Sequence, residues 1–120
     1  MNKGTIIVGK NAIRDVFLAE KQLDQMVGLM HRPAPLPYMA FIYAKPDVAR
    51  FWMKNTRQDL AIIYALGGKI MQIHRGEAFS TKLIGSEDIL SDIVLEMPWE
   101  TFERSQISIG DDIRLIQERQ

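Results

Sequence analysis

The sequence contains no cysteine among its 120 residues. This absence excludes disulfide bonds, thiolate-bound metal ions and cysteine nucleophiles. The length fits a single domain, which at this size buries roughly two thirds of its unfolded surface without covalent cross-links. We therefore expect one domain over residues 1–120 that is held together by its hydrophobic core.

The sequence also lacks an excess of either charge and lacks long hydrophobic runs. Basic and acidic residues number 15 each, so the formal net charge is zero, which argues against nucleic-acid or membrane partners. No apolar run approaches the roughly 20 residues of a membrane-spanning helix. The apolar core of the N-terminal segment, TIIV, is too short for a signal peptide. We expect a soluble cytoplasmic protein, or a virion protein if the gene is phage-borne.

The balanced charges are unevenly distributed along the chain. A basic segment, residues 31–57, carries five Lys or Arg and one acid, whereas an acidic segment, residues 83–103, carries six acids and no Lys or Arg. Such segments usually form solvated faces or pair within the fold. They could instead join one copy to another, head to tail, in a ring or a filament. Self-association or binding of a protein partner through these segments is therefore a prediction.

Local patterns predict a mainly β domain. The expected strands are GTIIVG, YMAFIYA, VARFWM, LAIIYAL, KIMQIH, one or two in DILSDIVLEM, and two pieces of ISIGDDIRLI. A turn at KPD is expected to separate the second strand from the third. Gly67-Gly68 predicts a hairpin with a type I′ turn, which needs positive φ at both central residues. The apolar run from Leu60 to Leu66 predicts a strand that is covered on both faces.

Residues 19–30 change to a helical period, and PWETFER at 98–104 predicts a second, short helical turn that begins at proline. We expect the apolar stripe of the first helix to fill the core; its members are Leu23, Met26, Val27 and Met30. The prolines that follow end this helix and impose an extended connection. The expected architecture is a compact barrel-like or jelly-roll-like two-layer β domain with one short helix near residues 19–30.

Conventional catalytic and ligand motifs are missing from the sequence. It has no phosphate loop, dinucleotide fingerprint, nucleophile elbow or zinc-type histidine pair. His31 and His74 lie far apart, and a single histidine at a strand end is usually a surface or packing residue. We expect no metal and no cofactor, and the missing motifs favour a protein that is not an enzyme.

The stretch RFWMKNTRQDL, residues 50–60, places aromatic side chains directly against polar ones. Strand alternation would send Trp52 and Lys54 to one face, where an indole and a cation can stack and the ammonium can bind a carboxylate or phosphate. One interpretation is structural, with Trp52 capping the core and the next residues turning the chain. The other is an apolar-walled pocket in which Lys54, Asn55 and Asp59 converge on a small ligand.

Asp59 precedes an apolar run, so its carboxylate is expected to be drawn towards the core. A partly buried carboxylate needs a partner. We expect Lys54 or Arg32 to be that partner.

Five segments resemble, in this order, the family called domain of unknown function 192: GLMHRP at 28–33, FWMKNT at 51–56, LAIIYALGGKIMQI at 60–73, IVLEMP at 93–98 and ISIGDDIRL at 107–115. The resemblance covers about residues 16–116 and implies a mostly β, barrel-like or jelly-roll-like domain whose short helix carries GLM. It implies no reaction. By matched position, it implies the ligand-binding candidates Arg32, Trp52, Lys54, Asn55, Thr56, Asp59 and Glu96.

The chain departs from that family at the start of the helix, where Lys21 to Asp24 replace a Thr-Pro-Glu-Glu-like entry and remove its N-cap. Many members of the family begin with an export leader and this chain does not, which suggests a cytosolic or phage-borne branch. Two functions follow as hypotheses. The first is a non-catalytic binding or assembly module; the second is a small-molecule-binding protein or enzyme with a pocket around Trp52 and Lys54.

Overall fold

The strands of the described chain form one sheet that is rolled into a half-barrel. The computed structural model describes residues 1–85 and 88–117. The elements, in chain order, are β1 (Asn2–Val8), β2 (Asn11–Ala19), α1 (Gln22–Val27), β3 (Met39–Val48), β4 (Leu60–Leu66), β5 (Lys69–Gly76), β6 (Leu90–Pro98), α2 (Trp99–Arg104) and β7 (Ile113–Gln117). The strand order is β5-β4-β6-β3-β2-β1-β7, and β2 and β3 pair in parallel while the other neighbours are antiparallel. The mainly β, barrel-like class expected from the sequence is confirmed.

The two outer strands of the sheet approach each other at one end. Near the start of β5, Ile70 donates its backbone N–H to Asp111 and accepts from Gly110, at 3.0 and 2.8 Å. Gly68 accepts from the N–H of Ile113 at 3.0 Å. These bonds join β5 to the residues that lead into β7, so the sheet is closed at this end.

Side chains alternate across the sheet and build two cores. The inner core fills the half-barrel and includes Ile6, Leu18, Ile63, Leu95 and Ile113. The outer core lies on the other face of β3, β4 and β6, and it includes Leu29, Phe41, Met53, Leu60 and Ile62. Because β4 contributes to both cores, it is covered on both faces, as its apolar run predicted. The outer core positions the site described below.

The hairpin between β4 and β5 follows the predicted turn chemistry. Gly67 and Gly68 have φ values of 60° and 81°. Both central residues of the turn therefore adopt the left-handed conformation that a type I′ turn requires and that glycine reaches at no steric cost.

Two predictions about the strands around residue 47 are wrong. The chain does not turn at KPD, because β3 continues along β6 as far as Val48, with an irregular register between Ile42 and Asp47. VARFWM is not a strand: of these residues, Phe51 makes an isolated bridge with Ile84. The sequence interpretation also missed β2 entirely. Near the C-terminus, one strand, β7, forms where two pieces were expected.

The first helix is shorter and more exposed than predicted. It has six residues, none of them buried, and no side chain caps its N-terminus at Lys21. The apolar stripe does not fill the core, since Leu23 and Met26 are 70% and 67% exposed. The side chain of Gln25 anchors the helix by donating to the carbonyls of Ala19 and Ile42, both at 3.0 Å. The chain enters the outer core only after the helix, at Leu29.

The second helix, α2, begins directly after Pro98, as PWETFER predicted. Neither helix in the described residues is long and apolar enough to cross a membrane.

Candidate functional site

An open cavity of about 310 Å³ lies over the outer face of the sheet. Its walls come from α1 and the three residues that follow it, and from residues 48–53. Strand residues Phe41, Leu60 and Glu96 form its inner surface. Sites for small molecules typically measure about 300–1,000 Å³, so this cavity is at the small end of that range.

The segment after β3 is held in place by backbone hydrogen bonds on two sides. Phe51 exchanges two bonds with Ile84, at 3.0 and 2.7 Å, and Met53 donates to Ser80 at 2.8 Å. On the other side, the carbonyl of Asn55 accepts from the N–H of His31 at 2.8 Å. The motif FWMKNT therefore joins the loop after α1 to the loop after β5, and this is why its backbone is fixed although it is not a strand.

Aromatic rings line much of the cavity. The rings of Phe41 and Phe51 are 4.8 Å apart between centroids and tilted by 59°. Tyr64, which is not part of the lining, lies 6.0 Å from Phe51. Trp52 stands at the rim, where it is 45% exposed. The ammonium of Lys54 lies 5.2 Å from the centroid of this indole. The cation and the indole thus lie close together, although this segment is not the strand from whose alternation the contact was expected.

Glu96 places a carboxyl group at the inner end of the cavity. It lies on β6 between Met39 of β3 and Ile62 of β4, and it is 4% exposed. Burial raises its pKa from 4.5 to about 8, because removal from water penalises the charged form. Neither a hydrogen bond nor a charge of the described residues offsets that burial.

Two tyrosines share this environment. Burial, and then the nearby Glu96 and Asp47, raise the pKa of Tyr43 to about 12. The pKa of Tyr64 is raised as well, first by burial and then by Glu96. The hydroxyl of Tyr64 donates to the carbonyl of Ile84 at 3.1 Å. Both phenols are therefore neutral at physiological pH, and their rings form part of an apolar surround for the carboxyl.

Three of the seven candidate residues line the cavity: Trp52, Thr56 and Glu96. Thr56 is buried, and its hydroxyl donates to the carbonyl of Lys54 at 3.3 Å.

The other four candidates lie outside the lining. Arg32 stacks over the ring of Phe17, with its guanidinium carbon 5.0 Å from the centroid, and Lys54 contacts the ring of Trp52. Asn55 has a positive φ of 56° and contributes a backbone carbonyl. Their role in binding stays a prediction, as it does for the three that line the cavity.

The prediction for the partner of Asp59 is wrong. Its carboxylate accepts from the backbone N–H of Ala78 at 2.8 Å and from the guanidinium of Arg75 at 2.8 and 3.2 Å. The bond from Ala78, followed by that from Arg75, lowers the pKa of Asp59. Asp59 directly precedes β4, and Arg75 is near the end of the antiparallel β5. The hairpin thus brings these two together, and Arg75 takes the place that was expected for Lys54 or Arg32.

Sequence reasoning missed other residues that line the cavity, notably Tyr43 and Met26. Tyr43 was open to detection, because it follows Phe41 at the two-residue spacing of one strand face. Glu96 entered through the family resemblance alone, although an acid inside the apolar run IVLEMP could itself have indicated a buried carboxyl. Met26 gave no such signal, since a methionine in a helical stripe usually belongs to a core.

The histidines lie outside this site. The ring of His74 meets the edge of Tyr64 at 5.7 Å and contacts Gln72 at 2.9 Å, so it packs as the sequence suggested. In the described ranges, no group of three His, Cys, Asp or Glu residues is arranged to hold a metal ion.

The comparisons with known proteins agree with the fold. The model of the DUF192 family, described as "Uncharacterized ACR", matches residues 5–115. A crystal structure of a protein of unknown function from Novosphingobium aromaticivorans is similar, with 27% identity, a TM-score of 0.82, and coverage of 93% of this chain and 84% of that one. No curated protein is similar enough to count as a match.

A second crystal structure shows the same similarity. It is that of a protein from Sinorhizobium meliloti that is provisionally described as a transcription regulator. The identity is 28% and the TM-score is 0.82, with coverage of 94% of this chain and 93% of that one. The fold is therefore shared along nearly the whole length of both proteins.

Proposed function

Because the chain belongs to the DUF192 family, which is described as uncharacterised, we propose its function from the cavity itself: it is a small-molecule-binding protein. The ligand enters between α1 and Trp52 and reaches Glu96. This is the second of the two hypotheses drawn from the sequence, with the pocket centred on Glu96 instead of Lys54.

One observation carries the proposal: the largely buried carboxyl of Glu96 lines an open cavity, and no hydrogen bond or charge of the described residues offsets its burial. Burying a polar group without a hydrogen bond costs free energy, and an apolar side chain of similar size would avoid that cost. The neighbours of Glu96 on the same sheet face, Met39, Phe41 and Ile62, are all apolar and fully buried. A polar group that is retained in such a place, within reach of a cavity, is explained by a ligand that completes its hydrogen bonds.

The lining favours binding over catalysis. The side-chain hydroxyl groups in the lining are those of Tyr43 and Thr56. The Thr56 hydroxyl is directed to a backbone carbonyl, and the raised pKa of Tyr43 keeps its phenol protonated. Neither is arranged with a base as an activated nucleophile would be.

Thermal unfolding against a panel of metabolites tests the proposal. A ligand at 100 times its Kd stabilises a protein by roughly 2.7 kcal/mol. We expect at least one compound to raise the Tm of the wild-type protein, and the substitution Met26→Trp to abolish that shift by filling the mouth of the cavity.

Leu23→Trp is the matched control for that experiment. Leu23 lies on the same short helix and is as exposed as Met26, but it is not part of the cavity lining. It should therefore keep the full shift. A panel in which no compound stabilises the wild-type protein, or in which both variants lose the shift equally, would contradict the proposal.

A further inference from the structure

Resting on the proposed function, we infer the chemical class of the ligand: an organic cation with a primary ammonium group, bound by the carboxylate of Glu96 and by the aromatic walls of the cavity. Two features of the site support this inference independently. The first is the hydrogen-bonding capacity of the carboxyl, and the second is the nature of the surfaces around it.

The carboxyl of Glu96 needs donors. When ionised it only accepts hydrogen bonds, and a primary ammonium offers three donors and the opposite charge. Such charge-assisted bonds are among the strongest in proteins. No hydrogen bond or charge of the described residues offsets the burial of this carboxyl, so the ligand is the natural source of the donors.

The walls attract cations as well. Phe41, Tyr43, Phe51 and Trp52 all contribute to the lining, and the faces of aromatic rings carry negative electrostatic potential that favours cations within about 6 Å. The fold itself uses this contact: the ammonium of Lys3 lies 4.8 Å from the centroid of Phe17, outside the cavity, and that of Lys54 lies 5.2 Å from the centroid of Trp52 at the rim.

The charges facing Glu96 favour a cation over an anion. From β3 and β4 it meets the neutral phenols of Tyr43 and Tyr64. From α1 the lining contains the uncharged Gln22 and Gln25. Arg50 is the basic residue in the lining, and it is exposed at the rim. Of the described residues in the lining, an anionic group at the inner end of the cavity would therefore meet a carboxyl and no cation.

Proton linkage predicts how the affinity for the amine depends on pH. Because burial raises the pKa of Glu96 to about 8, this group is mostly neutral at lower pH and must lose a proton when an ammonium binds. Affinity for the amine should therefore rise about tenfold per pH unit below that pKa. A neutral ligand that accepts a hydrogen bond from the protonated carboxyl would show the opposite trend.

Titration calorimetry with matched probes tests the inference. The probes are 2-phenylethylamine, 2-phenylethanol and phenylacetate, each titrated at about pH 6, 7 and 8. We expect the amine to bind, its Kd to fall about tenfold between pH 6 and 7, and proton release to be visible as a dependence of the heat on the buffer. The substitution Glu96→Gln should raise the Kd of the amine by about 10- to 100-fold and remove the dependence of that Kd on pH.

Glu103→Gln is the control for the loss of one carboxyl, because Glu103 is exposed on α2 and lies outside the cavity. It should bind the amine as the wild-type protein does. Amine binding that is unchanged in Glu96→Gln would overturn the inference.

The inference would also be overturned if 2-phenylethanol or phenylacetate bound more tightly than the amine. If that binding were lost in Met26→Trp, the proposed function would still stand. Failure of all three probes, together with a metabolite panel without any stabilising compound, would overturn both.

Discussion

The pH dependence of stability of the ligand-free protein measures the burial of Glu96 directly. Its pKa is raised from 4.5 to about 8 in the folded state. Between these values the folded protein binds more protons than the unfolded chain does, so the free energy of unfolding falls as the pH rises. Below the lower pKa the carboxyl is neutral in both the folded and the unfolded state. Above the higher pKa it is ionised in both states, and the free energy of unfolding falls no further.

The size of the effect follows from the two pKa values. Each pH unit corresponds to about 1.36 kcal/mol, so the rise from 4.5 to about 8 amounts to roughly 5 kcal/mol. A glutamine at position 96 keeps the shape of the side chain and does not ionise. The variant Glu96→Gln should therefore gain stability relative to the wild-type protein as the pH rises, by an amount approaching that value near about pH 9.

Urea unfolding of both proteins at about pH 5, 6, 7, 8 and 9 provides the measurement. The difference between the two proteins is the quantity to plot, since the contributions of the groups that both proteins share then cancel. Glu103→Gln supplies the control for the loss of one carboxyl, because Glu103 is exposed on α2 and lies outside the cavity. A flat difference for Glu96→Gln would refute the reasoning, since it would show that water or a counterion reaches the carboxyl and keeps its pKa ordinary.

Three further predictions concern other parts of the molecule. Asp59→Asn should cost about 1–2 kcal/mol in urea unfolding near neutral pH, because it weakens the bond from Ala78. The difference should shrink as the pH falls through the lowered pKa of Asp59, since a lowered pKa supplies stability that is lost on acidification. An equal cost for Arg75→Gln, at a half-exposed cation, would contradict the larger role given to Ala78. Gly76→Ala should lower the free energy of unfolding by about 1–3 kcal/mol, because a Cβ at this position would lie 2.5 Å from the sulfur of Met53. Met53 would have to shift, and since it lines the cavity, the cavity should narrow. A variant as stable as the wild-type protein would contradict this prediction. If the basic and acidic segments join copies, sedimentation should show oligomers at low salt that dissociate as salt rises, and a monomer at low salt and high concentration would count against that prediction.

The sequence by itself determined much of the sheet, because the relevant signals are local. The glycines before β5 supply the positive φ of the turn, and the apolar run of β4 predicts burial on both faces. The sequence did not predict β2, whose backbone is irregular near its middle. Asp15 adopts a positive φ of 57°, and the register between β1 and β2 shifts at this point. Such an irregularity is stabilised by the neighbouring strand, which the local pattern does not contain.

The tertiary structure alone decided the site. The apolar stripe of α1 has the spacing of a core helix, but none of the helix residues is buried by the part of the chain that the structure describes. Asp59 took Arg75 as its partner because the hairpin returns past it. Glu96 is buried because β3 and β4 enclose it on both sides. It reaches the cavity because the segment around Met53 forms a wall of that cavity and does not cover the carboxyl. Backbone periodicity depends on adjacent residues, whereas burial, pKa and ion pairing depend on whatever distant segment packs against a side chain.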